Sequence, residues 1–272
     1  FLGAGVFSIV SISLWFAIYH FQLPFSVQSI TIFQWHAHEM IYGYSMAVIA
    51  GFLLTAVKNW TGVQTLYGKT LAFLFSLWAA ARLLFLFGES YLFIAGIIDV
   101  LFSLFLVLSV GYPITKVKQW KQLAIVSNLI LLITCNIFFY LGTLNVIDSG
   151  VSWGIYGGLY LVIGLILTIG RRILPFFIER GVGYEVKLFN SRLLDISSLL
   201  IFLAFFVSEL FLKNQIFSSY LALGLFIVNC IRLIGWHTPG IWQKSLLWSL
   251  YLSFWFICAG FLLFAGIHFA GV

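Results

Sequence analysis

Trp35-His36-Ala37-His38-Glu39-Met40 opens the stretch that decides how the chain is read, running on through Ile41-Tyr42-Gly43-Tyr44 to Lys58-Asn59-Trp60-Thr61-Gly62. Ligand-type side chains crowd its head, and an apolar run follows. About 20 apolar residues suffice to cross a bilayer. In lipid the backbone must satisfy its own hydrogen bonds, which leaves helices or closed barrels. The run is continuously apolar rather than alternating, so it is a helix. Runs of the same kind recur along the chain. We read about nine spans, over residues 1–19, 35–57, 69–87, 91–111, 123–141, 153–173, 193–212, 217–235 and 245–267.

The composition agrees. The chain has 272 residues, 62% of them hydrophobic and 8% charged, where a soluble domain carries roughly 25% charged residues. The charges are too few to coat a water-facing surface. The expectation is an all-α, polytopic transmembrane helical bundle forming a single domain over residues 1–272, with the lipid bilayer as its first partner. The net charge of +6 sits between spans, so it is an orientation signal and not a nucleic-acid footprint. The second, fourth, sixth and eighth connections hold Lys58, Lys69, Lys116, Lys118, Lys121, Arg171, Arg172, Arg180, Lys187, Arg192 and Lys244. The first, third, fifth and seventh hold Lys213 alone. Positive loops stay inside, which puts the N-terminus in the cytoplasm. Cys135, Cys230 and Cys258 lie within apolar runs without CxxC spacing and read as small core residues. Pro24, Pro113, Pro175 and Pro239 fall in expected loops, the longest being about 172–192, so the spans read as unbroken. The sequence starts without Met and without a signal-peptide pattern, and we expect a piece of a longer protein.

This topology sorts the histidines. His20 ends the first span, His36 and His38 begin the second, and His268 ends the ninth, all at the outer face; only His237 is cytoplasmic. Charges within spans are the next class, because each costs about 2.5–3.5 kcal/mol or more at the bilayer centre. Arg82 and Asp99 lie on neighbouring antiparallel spans at similar depth. A neutralising pair is the simplest account; the alternative is an Arg82 that serves a cofactor carboxylate or an anionic ligand. Glu209 and Arg232 read as interfacial. Asn128, Asn136 and Asn229 read as interhelical hydrogen-bond partners.

On a helical wheel His36, Glu39, Gly43, Ala47, Ala50 and Leu54 share one face, and Met40 borders it. His38 falls on the other side with Tyr42, Ser45 and Ile49. On a regular helix His36 and His38 point about 200° apart, so either they serve two centres or the first turn bends. His36 and Met40, at i and i+4, can share one ligand. Gly43, Ala47 and Gly51 form a small-residue stripe, suited to close helix packing or to a flat macrocycle. Imidazole suits iron, copper and zinc, and thioether favours Cu(I); haem in helical bundles is commonly held by histidine. The bland reading is an interfacial His beside a Trp35 of the aromatic belt. Nothing resembles a hydrolase, and no Gly-rich phosphate loop is present.

Together with Ala50-Gly51-Phe52-Leu53-Leu54-Thr55-Ala56-Val57 and Asn59-Trp60-Thr61-Gly62, the Trp35–Met40 segment resembles the signature of the NnrS family. Arg82, Asp99 and Gly170-Arg171-Arg172-Ile173-Leu174-Pro175-Phe176-Phe177 extend the resemblance more weakly. It implies a bacterial inner-membrane protein carrying haem and copper and linked to nitric oxide, with a respiratory redox partner. His36, His38, Arg82 and His268 are then candidate cofactor residues, and His36, His38, Met40, Glu39 and His20 candidate metal ligands. The family pattern also has an Arg-containing segment before the first span and further C-terminal helices, which this sequence lacks. The rival reading is a transporter or channel in which His38 and Glu39 relay protons; a membrane scaffold for a respiratory complex is a third.

Overall fold

A computed structural model describes residues 1–25 and 27–269, apart from the side chain of His268. The chain is 84% helical, with no strand among the described residues. Among the described residues, nine helices are long and apolar enough to cross a membrane: α1 (Leu2–Phe21), α2 (Ile32–Thr61), α3 (Gly68–Leu86), α4 (Glu89–Lys116), α5 (Trp120–Thr143), α6 (Gly150–Gly181), α7 (Arg192–Leu212), α8 (Gln215–Trp236) and α9 (Ser245–Ile267). They match the expected spans in number and order. Their outward faces carry bare apolar side chains such as Leu108, Leu200 and Phe256. In water such faces would be an aggregation liability; against acyl chains they are what a span requires.

The chain divides into two compact units, Phe1–Val162 and Ile163–Val272. The first holds α1 to α5 and the start of α6. Its aromatic core includes Val27, Trp35, Phe85, Leu92, Phe139 and Tyr140. The second gathers Leu174, Ile178, Leu233, Trp236, Tyr251 and Cys258 into a core of its own.

Local chemistry explains how α2 begins. Thr31 and Gln34 form a capping box: the Gln34 N–H donates to Thr31 Oγ1 at 3.2 Å and the Thr31 N–H to Gln34 Oε1 at 2.8 Å. Two orphan donors at the helix start are thereby satisfied. The preceding loop is pinned by Glu89, whose Oε2 accepts the N–H groups of Gln28 and Ser29. At the far end Gly62 adopts φ 69°, the left-handed conformation that glycine takes at no steric cost.

Glycine also sets how closely α6 docks in the first unit. Gly150, Gly154 and Gly158 repeat every four residues. A Cβ on Gly154 would come within 2.8 Å of Phe139 Cα, and one on Gly158 would strike the Tyr42 ring. Gly150 lies backbone to backbone against Gly142. Small residues at this spacing let helices approach closely in lipid.

Several expectations change. Pro113 and Pro175 lie inside α4 and α6 rather than in loops. Helix-breaking residues persist in spans where surrounding groups re-satisfy the freed backbone, and α6 accordingly continues through Pro175 to Gly181. The spans are not all regular either: Glu39–Ser45 of α2 and Ser208–Leu212 of α7 are π-helical. Arg232 is buried at 5% exposure instead of interfacial. Asn229 bonds within its own helix, to Leu225 O and Arg232, whereas Asn128 does reach across, to Leu161 O on α6.

Candidate functional site

Directly after His38 the helix takes a π-helical turn over Glu39–Ser45. An i→i+5 turn inserts an extra residue and shifts the helical register, and such turns gather at functional sites. Here Ser45 Oγ donates to Met40 O at 2.8 Å, and Trp78 Nε1 donates to Gly43 O at 2.9 Å. His38 and Glu39, which the regular wheel assigned to different faces, meet in one buried network.

That network is built from four helices. His38 Nδ1 lies 3.1 Å from Glu39 Oε1, and His38 Nε2 lies 3.0 Å from Asn136 Oδ1. The Asn136 Nδ2 donates to Asp99 Oδ2 at 2.9 Å, which fixes the amide with its oxygen toward the imidazole. Arg82 Nη1 donates to Glu39 Oε1 at 3.1 Å, and Arg82 Nη2 stands 2.5 Å from Asp99 Oδ2. Tyr140 donates its hydroxyl to the same Asp99 oxygen at 3.2 Å. His38, Asp99 and Asn136 are 0% exposed. The His38 ring rests on Phe139 and Phe85, at centroid distances of 4.1 and 5.2 Å. Tyr42 packs beside it at 5.0 Å and donates its hydroxyl to Gly154 O at 2.6 Å.

Both nitrogens of His38 face oxygen atoms, and Arg82 is ion-paired to both Glu39 and Asp99. A buried charge is tolerated when it is paired, and Arg82 is paired twice, although its Nε and Asp99 Oδ1 have no hydrogen-bond partner among the described residues. The expected Arg82–Asp99 pair is present, with Glu39 added to it.

His36 lies elsewhere. Its half-buried ring stacks on Trp15 of α1 at 4.9 Å. Phe33, one turn earlier on α2, packs on Trp15 and Tyr19. His36 Nδ1 is buried without a hydrogen-bond partner, and so is Trp15 Nε1 beside it. A buried polar atom without a partner calls for a group that engages it. Met40 is half-buried, and His20 is exposed at the end of α1 with its ring on Phe16. The side chain of His268 lies outside the described residues. The small-residue stripe of α2 takes α1: a Cβ on Gly43 would meet Phe7 at 2.7 Å, and one on Gly51 would meet Phe1 at 3.3 Å.

These contacts test which residues suit a metal or haem. His38, Glu39 and Arg82 are poor ligands as they stand, because imidazole, carboxylate and guanidinium are committed to one another. His36 fits, having a ring nitrogen without a hydrogen-bond partner. Among the described residues no group of three or more His, Cys, Asp or Glu side chains converges to hold a metal ion. A macrocycle that brings its own nitrogen donors asks less of the protein, one or two axial side chains.

Asn136 is the interhelical hydrogen-bond partner expected from the sequence; its place between His38 and Asp99, Tyr140 as a donor and the Gly150–Gly154–Gly158 run were not read there. Asn136 and Tyr140 stand at i and i+4 on α5, and an Asn–Tyr pair on one face of an apolar span was the available clue.

The NnrS family model, described as NnrS protein, matches residues 1–272. No curated protein matches the chain, and no solved structure matches it. The chain belongs to the NnrS family, and at that level it is a nitric-oxide-related membrane protein.

Proposed function

We propose that this NnrS-family chain is a multi-pass protein of the bacterial inner membrane that carries a haem or copper centre and serves the response or resistance to nitric oxide. The centre sits at the α1–α2 edge, with His36 as its protein ligand and Met40 and His20 as the nearest further donors by chain position. The lysine and arginine distribution puts that edge on the outer side and the N-terminus in the cytoplasm. The observation that carries this reading is the buried, unpartnered Nδ1 of His36 against Trp15, in a family tied to nitric oxide. Ferrous haem and Cu(I) both bind nitric oxide, which is the chemistry such a centre supplies.

The protein's own residues have separable tasks. Trp15 orients the His36 ring by stacking. The π-helical turn and the network around His38 fix the start of α2, so that His36 is presented on a rigid helix rather than a frayed one. Sites on rigid elements hold geometry better than sites on loops. A proton-relaying transporter is the weaker reading, since the His38 and Glu39 groups it needs are sealed from solvent and saturated with partners.

The test is an optical spectrum with metal analysis of the purified full chain. A Soret band or stoichiometric copper in the wild type, diminished in His36→Ala, is expected. A colourless and metal-free wild-type preparation, made with haem and copper supplied during expression, overturns the proposal.

A further inference from the structure

The second unit contains a charge cluster of a different kind, which the nitric-oxide reading does not use. Asp195, in the first turn of α7, is shared by two arginines. Arg171 of α6 reaches its Oδ2 at 3.2 Å, and Arg232 of α8 donates to its Oδ1 at 3.1 Å. Arg232 is 5% exposed and held rigidly, with Nη1 donating to Asn229 Oδ1 at 2.7 Å and Nη2 also donating to Leu194 O at 3.1 Å. Its guanidinium lies 5.8 Å from the Trp236 ring centroid. Arg172 follows Arg171 directly and is exposed. Two guanidinium groups thus share one carboxylate, which leaves the cluster cationic.

A second observation concerns Arg171 itself. Its Nε is buried and has no acceptor, although its Nη1 is paired. A buried N–H on a cation is costly to leave unmet. The acceptor it calls for is an anionic oxygen. Carboxylates are not in surplus here, since Asp195 is already divided between two arginines. The cluster also lies at helix ends, the first turn of α7 and the last turns of α8, which span length alone puts near a membrane edge. Basic pockets between spans at such an edge bind lipid phosphates, and guanidinium forks match the geometry of phosphate oxygens.

We infer that Arg171, Arg172 and Arg232 form a phosphate-binding site, with Asp195 as the internal counter-ion that holds Arg171 and Arg232 in place. The ligand class is a phosphate-bearing anion, and the depth of the cluster suits the headgroup of an acidic phospholipid. Arg232 is a positioning residue held by Asn229, Leu194 and Asp195. Arg171 and Arg172 are the groups that meet the ligand.

Native mass spectrometry of the full chain tests this, with phosphatidylglycerol, phosphatidylcholine and inorganic phosphate as separate probes. Selective retention of phosphatidylglycerol is expected, with at least a fivefold loss in Arg171→Gln/Arg172→Gln. Arg172→Gln alone, at an exposed position, should fold normally and lose part of the retention. Arg171→Lys keeps the charge but lacks the Nε donor, and should fall between wild type and the double variant. Equal competition by inorganic phosphate would support the same site with the free anion as its source. Equal retention of phosphatidylcholine and phosphatidylglycerol, or a double variant that is monodisperse and retains the acidic lipid as the wild type does, overturns the inference.

Discussion

The first unit buries His38, Glu39, Arg82 and Asp99 as one linked polar set, each below 6% exposure. The second leaves Asp195 39% exposed between Arg171 and Arg232. Both clusters join helices through a shared carboxylate. What separates them is closure. A buried network of paired groups fixes a shape. A partly open one, with two guanidinium groups on one carboxylate, fixes a shape and stays cationic. Interhelical polar groups in lipid are therefore better sorted by net charge and exposure than by the number of hydrogen bonds they make.

The sharpest way to break this contrast is to remove one charge from each cluster. Asp99→Ala leaves Arg82 buried without its main counter-ion, and the loss expected for breaking a buried pair is about 3–5 kcal/mol. Thermal unfolding in detergent should show it as a large drop in midpoint or as aggregated protein. Arg82→Met combined with Asp99→Leu should recover a good part of the loss, since replacing a buried pair with apolar groups is often near neutral. If the single change is harmless, the closed network contributes nothing. Gly154→Ala comes next. It drives a methyl into Phe139 and, by overpacking, should cost about 1–3 kcal/mol, with the Tyr42 contact to Gly154 O disturbed as well. An unchanged midpoint there would mean that α6 can shift freely against α5.

Asp195→Asn should have a smaller effect, about 1 kcal/mol or less, because exposed pairs contribute little and Arg232 keeps Asn229 and Leu194 O. Salt gives the finest distinction. Raising ionic strength shortens the screening length from about 10 Å at 0.1 M to about 3 Å at 1 M. The difference between wild type and Asp195→Asn should shrink in high salt, while the difference between wild type and Asp99→Ala should stay. Equal salt sensitivity at the two positions would mean that the clusters do not differ in kind.

Much of this was legible in the amino acids. Nine apolar runs give nine helices, because lipid leaves the backbone few alternatives. The Arg82–Asp99 pair followed from depth on adjacent antiparallel spans. What was not legible depends on a local departure from the regular helix. The π-helical turn over Glu39–Ser45 has no marker in residue type; the contact that reaches its backbone from another helix is Trp78 Nε1 to Gly43 O. A wheel also sorts side chains by angle and not by reach, and so assigned His38 and Glu39 to different faces. Arg232 looked interfacial from its place near the end of α8, and only the positions of Asp195 and Leu194 on α7 show why it is buried. Pro175 looked like a loop residue because it follows Arg171 and Arg172 at the head of a basic stretch, yet α6 continues past it.

The division of labour between two histidines one residue apart is the central claim. His36 keeps a nitrogen without a protein partner; His38 gives both of its nitrogens to the network. The most direct measurement is haem and copper content per chain in purified wild type, His36→Ala and His38→Gln, each first shown to elute as a single species. The account predicts that His36→Ala loses the bound group while His38→Gln retains it at lowered thermal stability. Loss of the bound group in His38→Gln, with His36→Ala still loaded, would contradict it.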